Sequence, residues 1–201
     1  MTKTDPHLPS PVAPATGKKT YAGKKVQAGS LFLTANTYKR IPLFRHADPC
    51  RLFFEELGFY RVRYAFELYA YVLMPDHFHL LLGFPPERKF SNFLRDFKSA
   101  IGRLVVDWAK ENKRTQLLAR LQLPSSPTRP KDARYCVLQP NSYVRQVLSA
   151  AMFKQKLDYI HDNPVRDHLV KRAIDYPYSS LRNYNLGEGS ISIDPHGLLL
   201  G

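Results

Sequence analysis

Between residues 60 and 74 the chain alternates, with Val62, Tyr64, Phe66, Leu68 and Ala70 separated by Arg61, Arg63, Ala65, Glu67 and Tyr69. Successive side chains of a strand point to opposite faces, so this spacing predicts one long strand. Pro75-Asp76 marks a tight turn. Beyond it Phe78, Leu80, Leu81 and Leu82, closed off by Gly83, predict a second strand folded back antiparallel on the first. Residues 30–38 are rich in β-formers and predict an earlier strand. Between these, Asp48 is placed to cap a helix that starts near Pro49, carries Leu52, Phe53, Glu56 and Leu57, and ends toward Gly58.

The period then changes from two to 3.6. Phe90, Phe93, Leu94, Phe97, Ile101, Leu104, Val105 and Trp108 predict an amphipathic helix with Ser91 as its cap. Residues 111–134 are polar and, around 124–130, rich in proline and serine, which predicts a long connection. A short β element is expected at 135–138. Phe153, Leu157 and Ile160 predict a last helix, ended by Asn163-Pro164 because a residue before proline is pushed out of the α region. The order β-α-β-β-α, with a further β element, implies an α+β fold with helices packed on one face of an antiparallel sheet.

Composition narrows the partners. The 201 residues, 44% of them hydrophobic, suffice for one domain with a proper core. A formal charge of +13 favours a polyanion, nucleic acid foremost. No apolar run approaches the roughly 18 residues that a membrane span needs. Two cysteines, Cys50 and Cys136, encode neither a disulfide framework nor a thiolate zinc site, which fits a reducing cytoplasm. Residues 1–25 combine proline and lysine without an apolar signal core and read as a disordered basic tail, leaving 26–201 as the folded domain.

Two constellations carry possible chemistry. His77 and His79 share one face of their strand, about 7 Å apart at Cα, so both imidazoles can reach one ion; alternatively one is a core residue and the other lies at the surface. A histidine-triad phosphohydrolase would want a third alternating histidine, but that place holds Leu81. On the last helix Tyr159 lies on the same side as Lys156 and Asn163, offering a phenol, an ammonium and an amide. A tyrosine nucleophile needs a nearby cation, Lys156 or a metal, to stabilise the phenolate. With 12 tyrosines in the chain, an ordinary surface or core role for Tyr159 stays open.

Tyr71-Val72-Leu73-Met74-Pro75-Asp76-His77-Phe78-His79-Leu80-Leu81-Leu82, then Lys156-Leu157-Asp158-Tyr159-Ile160-His161-Asp162-Asn163-Pro164-Val165-Arg166, then Asp175-Tyr176-Pro177-Tyr178-Ser179-Ser180 together resemble the REP-associated tyrosine transposases. These are single-tyrosine HUH transposases, and the resemblance spans about residues 29–184. It implies a ferredoxin-like antiparallel sheet with flanking helices. It also implies metal ligation by His77, His79 and Asn163, and nucleophilic attack by Tyr159. The cofactor would be Mg²⁺ or Mn²⁺, and the reaction cleavage and strand transfer of single-stranded or hairpin DNA through a 5′-phosphotyrosine. Lys39, Arg40, Arg95, Lys98, Arg103, Lys156 and Arg166 are the candidate DNA contacts, and the protein is expected to act as a monomer or homodimer. A non-cleaving hairpin binder derived from such an enzyme is the alternative. The chain departs from the family pattern at His168, where glycine is usual, at Leu138, where tryptophan is frequent, and in the inserted proline-rich segment.

Overall fold

A computed structural model describes residues 29–124 and 134–194, and the statements that follow concern those residues. The expected basic tail and the proline-rich segment 125–133 lie outside them. Strands β1 (Gly29–Asn36), β2 (Glu67–Met74), β3 (His77–Phe84) and β4 (Tyr143–Gln146) form one antiparallel sheet in the order β2-β3-β1-β4. Helix α1 (Ala47–Tyr64) joins β1 to β2, and α2 (Phe90–Glu111) and α3 (Thr115–Leu121) lie between β3 and β4. Helices α4 (Ala150–Arg166) and α5 (Leu181–Leu186) follow the sheet. This is the α+β, ferredoxin-like arrangement expected from the sequence.

The helices do not all lie on one face. Leu31 and Leu33 of β1 and Phe78, Leu80 and Leu82 of β3 pack with Phe53, Leu57, Phe93 and Phe97 of α1 and α2. Phe32 and Leu81 belong to a second cluster, with Phe153, Leu157 and Ile160 of α4. The reason is in β2 and β3, which run almost unbroken in apolar residues from Leu68 to Met74 and from Phe78 to Leu82. Such strands need cover on both sides.

Element boundaries moved where packing overrode the local pattern. Helix α1 continues through Gly58 to Tyr64, because Phe53, Leu57, Tyr60 and Tyr64 also repeat at helical spacing, and the last two tyrosines pack on Phe93. Ala65, at φ 53°, ends the helix in the left-handed region, and Val62, a core position in the alternating pattern, is 83% exposed. Asp48 is not the cap. It lies in the first turn of α1, and its carboxylate accepts from Trp108 Nε1 at 3.1 Å. Ser91 likewise falls inside the first turn of α2, after Lys89 at the cap. Leu117, Leu118 and Leu121 pack on the core, giving the polar connection a helix of its own.

The fourth strand is 143–146, not 135–138. Tyr135 and Leu138 make only isolated bridges, to Gln122 and Thr37. Pro140 has no N–H to carry a ladder onward. Helix α4 runs through Pro164 to Arg166. Pro164 forfeits one bond, but the turn beyond closes through Asp167 N–H to Asn163 O and Leu169 N–H to Pro164 O. His168 takes φ 56° there, the left-handed turn that a glycine usually supplies.

The motif at 175–180 closes the outer edge of β2. Leu73 N–H donates to Tyr178 O, Ser180 N–H donates to Tyr71 O, and Tyr176 Oη–H donates to Leu73 O at 2.7 Å. An edge strand is thereby paired along part of its length.

Candidate active site

The site grows from the two-residue turn Pro75-Asp76, which joins β2 and β3 with Met74 paired to His77. Its carbonyls are fixed from outside: Phe44 N–H donates to Pro75 O, and Thr37 N–H and Oγ1–H both donate to Asp76 O. Asp76 is therefore held where its carboxylate can serve two partners. Oδ1 accepts from His77 Nδ1 at 2.7 Å, and Oδ2 pairs with Arg40 Nε at 2.8 Å. Arg40 also donates to Asn36 Oδ1 at 2.6 Å, while its backbone and that of Lys39 sit at φ 56° and 52°. Two adjacent non-glycine residues in that region cost about 1–2 kcal/mol each, which the fixed guanidinium helps to offset.

His77 and His79 are both buried, with ring centroids 5.0 Å apart at 81°. A histidine whose Nδ1–H donates to a carboxylate keeps its lone pair on Nε2, so Asp76 fixes the ring of His77 with that nitrogen available as a donor atom. Thr34 Oγ1 lies 2.7 Å from His79 Nδ1 and selects the same tautomer when it accepts. His79 Nε2 is buried without a hydrogen-bond partner among the described residues. Burial first, then the neighbouring His77, Arg40, Lys156 and Arg166, holds His79 well below the usual imidazole range, so the ring is neutral near pH 7. A neutral imidazole with an unpartnered, buried nitrogen beside a second imidazole is the donor chemistry of a divalent transition-metal site. Among the described residues no three His, Cys, Asp or Glu side chains gather as a metal group, so further ligands would have to be amide, phosphate or water oxygens.

Helix α4 brings the phenol. Its apolar stripe Phe153, Leu157 and Ile160 docks on the sheet, and Ser149 caps it by accepting from Met152 N–H at 3.2 Å. That docking turns Tyr159, half-buried, edge-on to His79 at 5.2 Å and to Phe32 at 5.9 Å. Two cations cover it: Lys156 Nζ lies 5.6 Å and Arg166 Cζ 5.1 Å from its ring centre. Lys156 also sits 4.7 Å from the centre of Phe32. The structure thus brings His77, His79, Tyr159, Lys156, Arg166 and Arg40 into one neighbourhood. Asn163 is buried one turn beyond Tyr159, and its Nδ2–H donates to Tyr159 O at 3.1 Å; among the described residues no hydrogen bond joins it to an imidazole.

The other candidate DNA contacts are elsewhere. Arg95, Lys98 and Arg103 belong to α2, across the sheet from the imidazoles. Arg95 pairs with Asp96 at 2.9 Å. Lys98 is used internally: its ammonium donates to the carbonyls of Gln139 and Pro140 and to Ser142 Oγ. It is a latch on the loop before β4, with no donor left over for a phosphate. Lys39 lies over its neighbour Tyr38, 5.1 Å from the ring centre. A cavity of about 730 Å³ opens between α2 and residues 134–138, lined by Arg103, Lys110 and Arg134, and His77, His79 and Tyr159 are not in its lining.

Pattern reasoning did not find Thr34, Phe32 or Asp76 as parts of the site. Thr34 and Phe32 reach it only through the β1–β3 register, which pairs Thr34 with His79 and Phe32 with Leu81. Asp76 adjoins His77 in sequence, and that adjacency at a turn was the available signal.

Comparison with known proteins agrees with this architecture. The family model of IS200-like transposases matches residues 43–120, a span that includes both histidines and stops short of Tyr159. By structure the chain is similar to a REP-associated tyrosine transposase bound to a REP hairpin, with a TM-score of 0.60 and 21% identity over 88% of this chain and 90% of that one. A putative transposase from Deinococcus radiodurans R1 aligns at 22% identity over 70% of this chain and 96% of that one, with a TM-score of 0.41. No curated protein sequence matches. The resemblance drawn from the motifs is therefore met by a family model over the histidine region and by a shared fold over most of the chain.

Proposed function

We propose that the protein cleaves and rejoins single-stranded DNA, with a hairpin as the bound form, through a covalent link to Tyr159. The observation that carries this is the buried, unpartnered Nε2 of His79 next to His77, with the Tyr159 ring 5.2 Å from the same imidazole. The residues fit a divalent cation: His77 and His79 would hold it through Nε2, with the amide oxygen of Asn163 as the third protein ligand after a side-chain rotation. Bound there, Mn²⁺ or Mg²⁺ would polarise the scissile phosphate, and imidazole donors suit Mn²⁺ at least as well as Mg²⁺.

The remaining steps belong to the chain itself. Tyr159 Oη attacks phosphorus, forming the Oη–P bond as the P–O3′ bond breaks; the phenol gives up its proton and the leaving 3′ oxygen gains one. Lys156 and Arg166 flank the ring and stabilise the charge that develops on the phenolate. The 5′-phosphotyrosine retains the energy of a phosphodiester, so a second 3′-OH can displace Tyr159 and rejoin strands. The hairpin-bound neighbour supports a hairpin as the ligand.

The test is a denaturing gel for covalent adduct on hairpin oligonucleotides with single-stranded flanks. Adduct is expected with Mn²⁺ or Mg²⁺, absent with chelator, absent in Tyr159→Phe and absent in His79→Ala, while Asn163→Ala forms it slowly and recovers at high Mn²⁺. Adduct from Tyr159→Phe would transfer the role to another tyrosine, and a wild type that binds hairpins but never forms adduct would leave a non-cleaving binder.

A further inference from the structure

We propose that Tyr143 and Arg145 of the edge strand β4 form a ledge on which the single-stranded DNA beside the scissile phosphate is held, an assignment that rests on the cleavage reading above. The sheet register carries the geometry. Thr34 pairs with His79 on one side and with Tyr143 on the other, so His79, Thr34 and Tyr143 form one row across β3, β1 and β4. Leu81, Phe32 and Arg145 form the next row. Directly paired residues point to the same face, so Tyr143 and Arg145 stand on the face of the imidazoles. With strands about 4.8 Å apart, Tyr143 lies roughly 10 Å from His79 at Cα.

Each side chain is suited to one part of a nucleotide. Tyr143 is 40% exposed, and its ring is steadied from below by an edge contact with Phe32 at 6.3 Å. A supported, solvent-facing ring at a sheet edge is a stacking platform, and stacking tolerates any base because every base has a π-face. Arg145 is exposed and forms no ion pair among the described residues. It is near enough to Lys156 that its charge, after burial, contributes to holding that ammonium below its usual range. Two neighbouring cations, neither in an ion pair among the described residues, are complementary to a phosphate. The ledge is also rigid: the Lys98 latch fixes residues 139–142, immediately before β4, from the opposite side of the sheet.

The test uses the full chain carrying Tyr159→Phe, so that no cleavage intrudes, and a fluorescein-labelled oligothymidylate read by anisotropy. Adding Tyr143→Ala should weaken binding about 5-fold or more, Tyr143→Phe should stay within about 2-fold, and Arg145→Ala should lower the salt slope by roughly 0.7. Placed in the same oligonucleotide, 5-iododeoxyuridine should photo-cross-link to the peptide containing Tyr143. Unchanged binding in Tyr143→Ala, equal losses in Tyr143→Ala and Tyr143→Phe, or cross-links confined to other peptides would overturn the ledge. Adduct formation by the wild type with no cross-link at Tyr143 removes the ledge alone; a cross-link without adduct supports the ledge and removes the cleavage reading.

Discussion

Thr34 lies against one of the two ring nitrogens of His79. Its hydroxyl lies 2.7 Å from Nδ1, and when that nitrogen donates, the buried Nε2 keeps its lone pair. Thr34→Val conserves shape and removes the partner, so Mn²⁺ affinity should fall roughly 10- to 100-fold, while Thr34→Ser should retain most of it. Calorimetric titration of Mn²⁺ into the three proteins checks this, and equal affinities would show that the hydroxyl has no orienting role. At this scale the shared face of His77 and His79 and the side of α4 that carries Tyr159 were legible in the sequence, because each sits on a regular element whose period assigns its face. Thr34, Phe32 and Tyr143 were not, because strand register brings them beside His79 from distant parts of the chain.

A buried histidine joins the 176–180 segment to helix α4. His161 Nε2 lies 2.9 Å from Ser180 Oγ, which also accepts from Tyr71 N–H at 3.0 Å. Burial pushes His161 down to about 4 from an ordinary value of 6.5. Below pH 6.5 the unfolded chain therefore takes up a proton that the folded one refuses, so stability falls as pH drops toward 4 and levels off below it. The loss attributable to this group reaches up to about 3 kcal/mol. Urea midpoints at pH 7 and 4.5 should separate more in the wild type than in His161→Gln, which keeps a hydrogen-bonding group without the titration. Equal separations would exclude His161 as the acid-sensitive joint. The same scale shows where pattern reading misplaces boundaries: residues 60–64 satisfy both a period of two and a helical spacing, and contacts with Phe93 and Phe97 from α2 settle the choice. Nothing local to residues 60–64 contains those partners.

Across the whole molecule the +13 charge is unevenly used. Several cations are committed inside the protein, Lys98 to carbonyls and Arg61 to Asp194. Lys156 and Arg166 remain over the tyrosine ring, with Arg145 near Lys156. Three phosphate contacts on a single strand imply a salt slope of about −2, or roughly a 20-fold loss of affinity between 50 and 200 mM salt. A slope near zero would reject an electrostatic mode of binding, and one several times steeper would place the dominant contacts outside this cluster. Net charge alone pointed to nucleic acid; which cations are free could be read only once the internal acceptors were placed.

The division of the sheet into two faces has an evolutionary consequence. The aromatic cluster of α1 and α2 packs against one side, and the imidazoles and phenol occupy the other. Substitutions of the imidazoles or the phenol leave the aromatic cluster on the far side of the sheet untouched. Under the cleavage proposed above, a lineage that lost catalysis would keep that packing and its basic surface, so inactive descendants are an accessible outcome of this architecture.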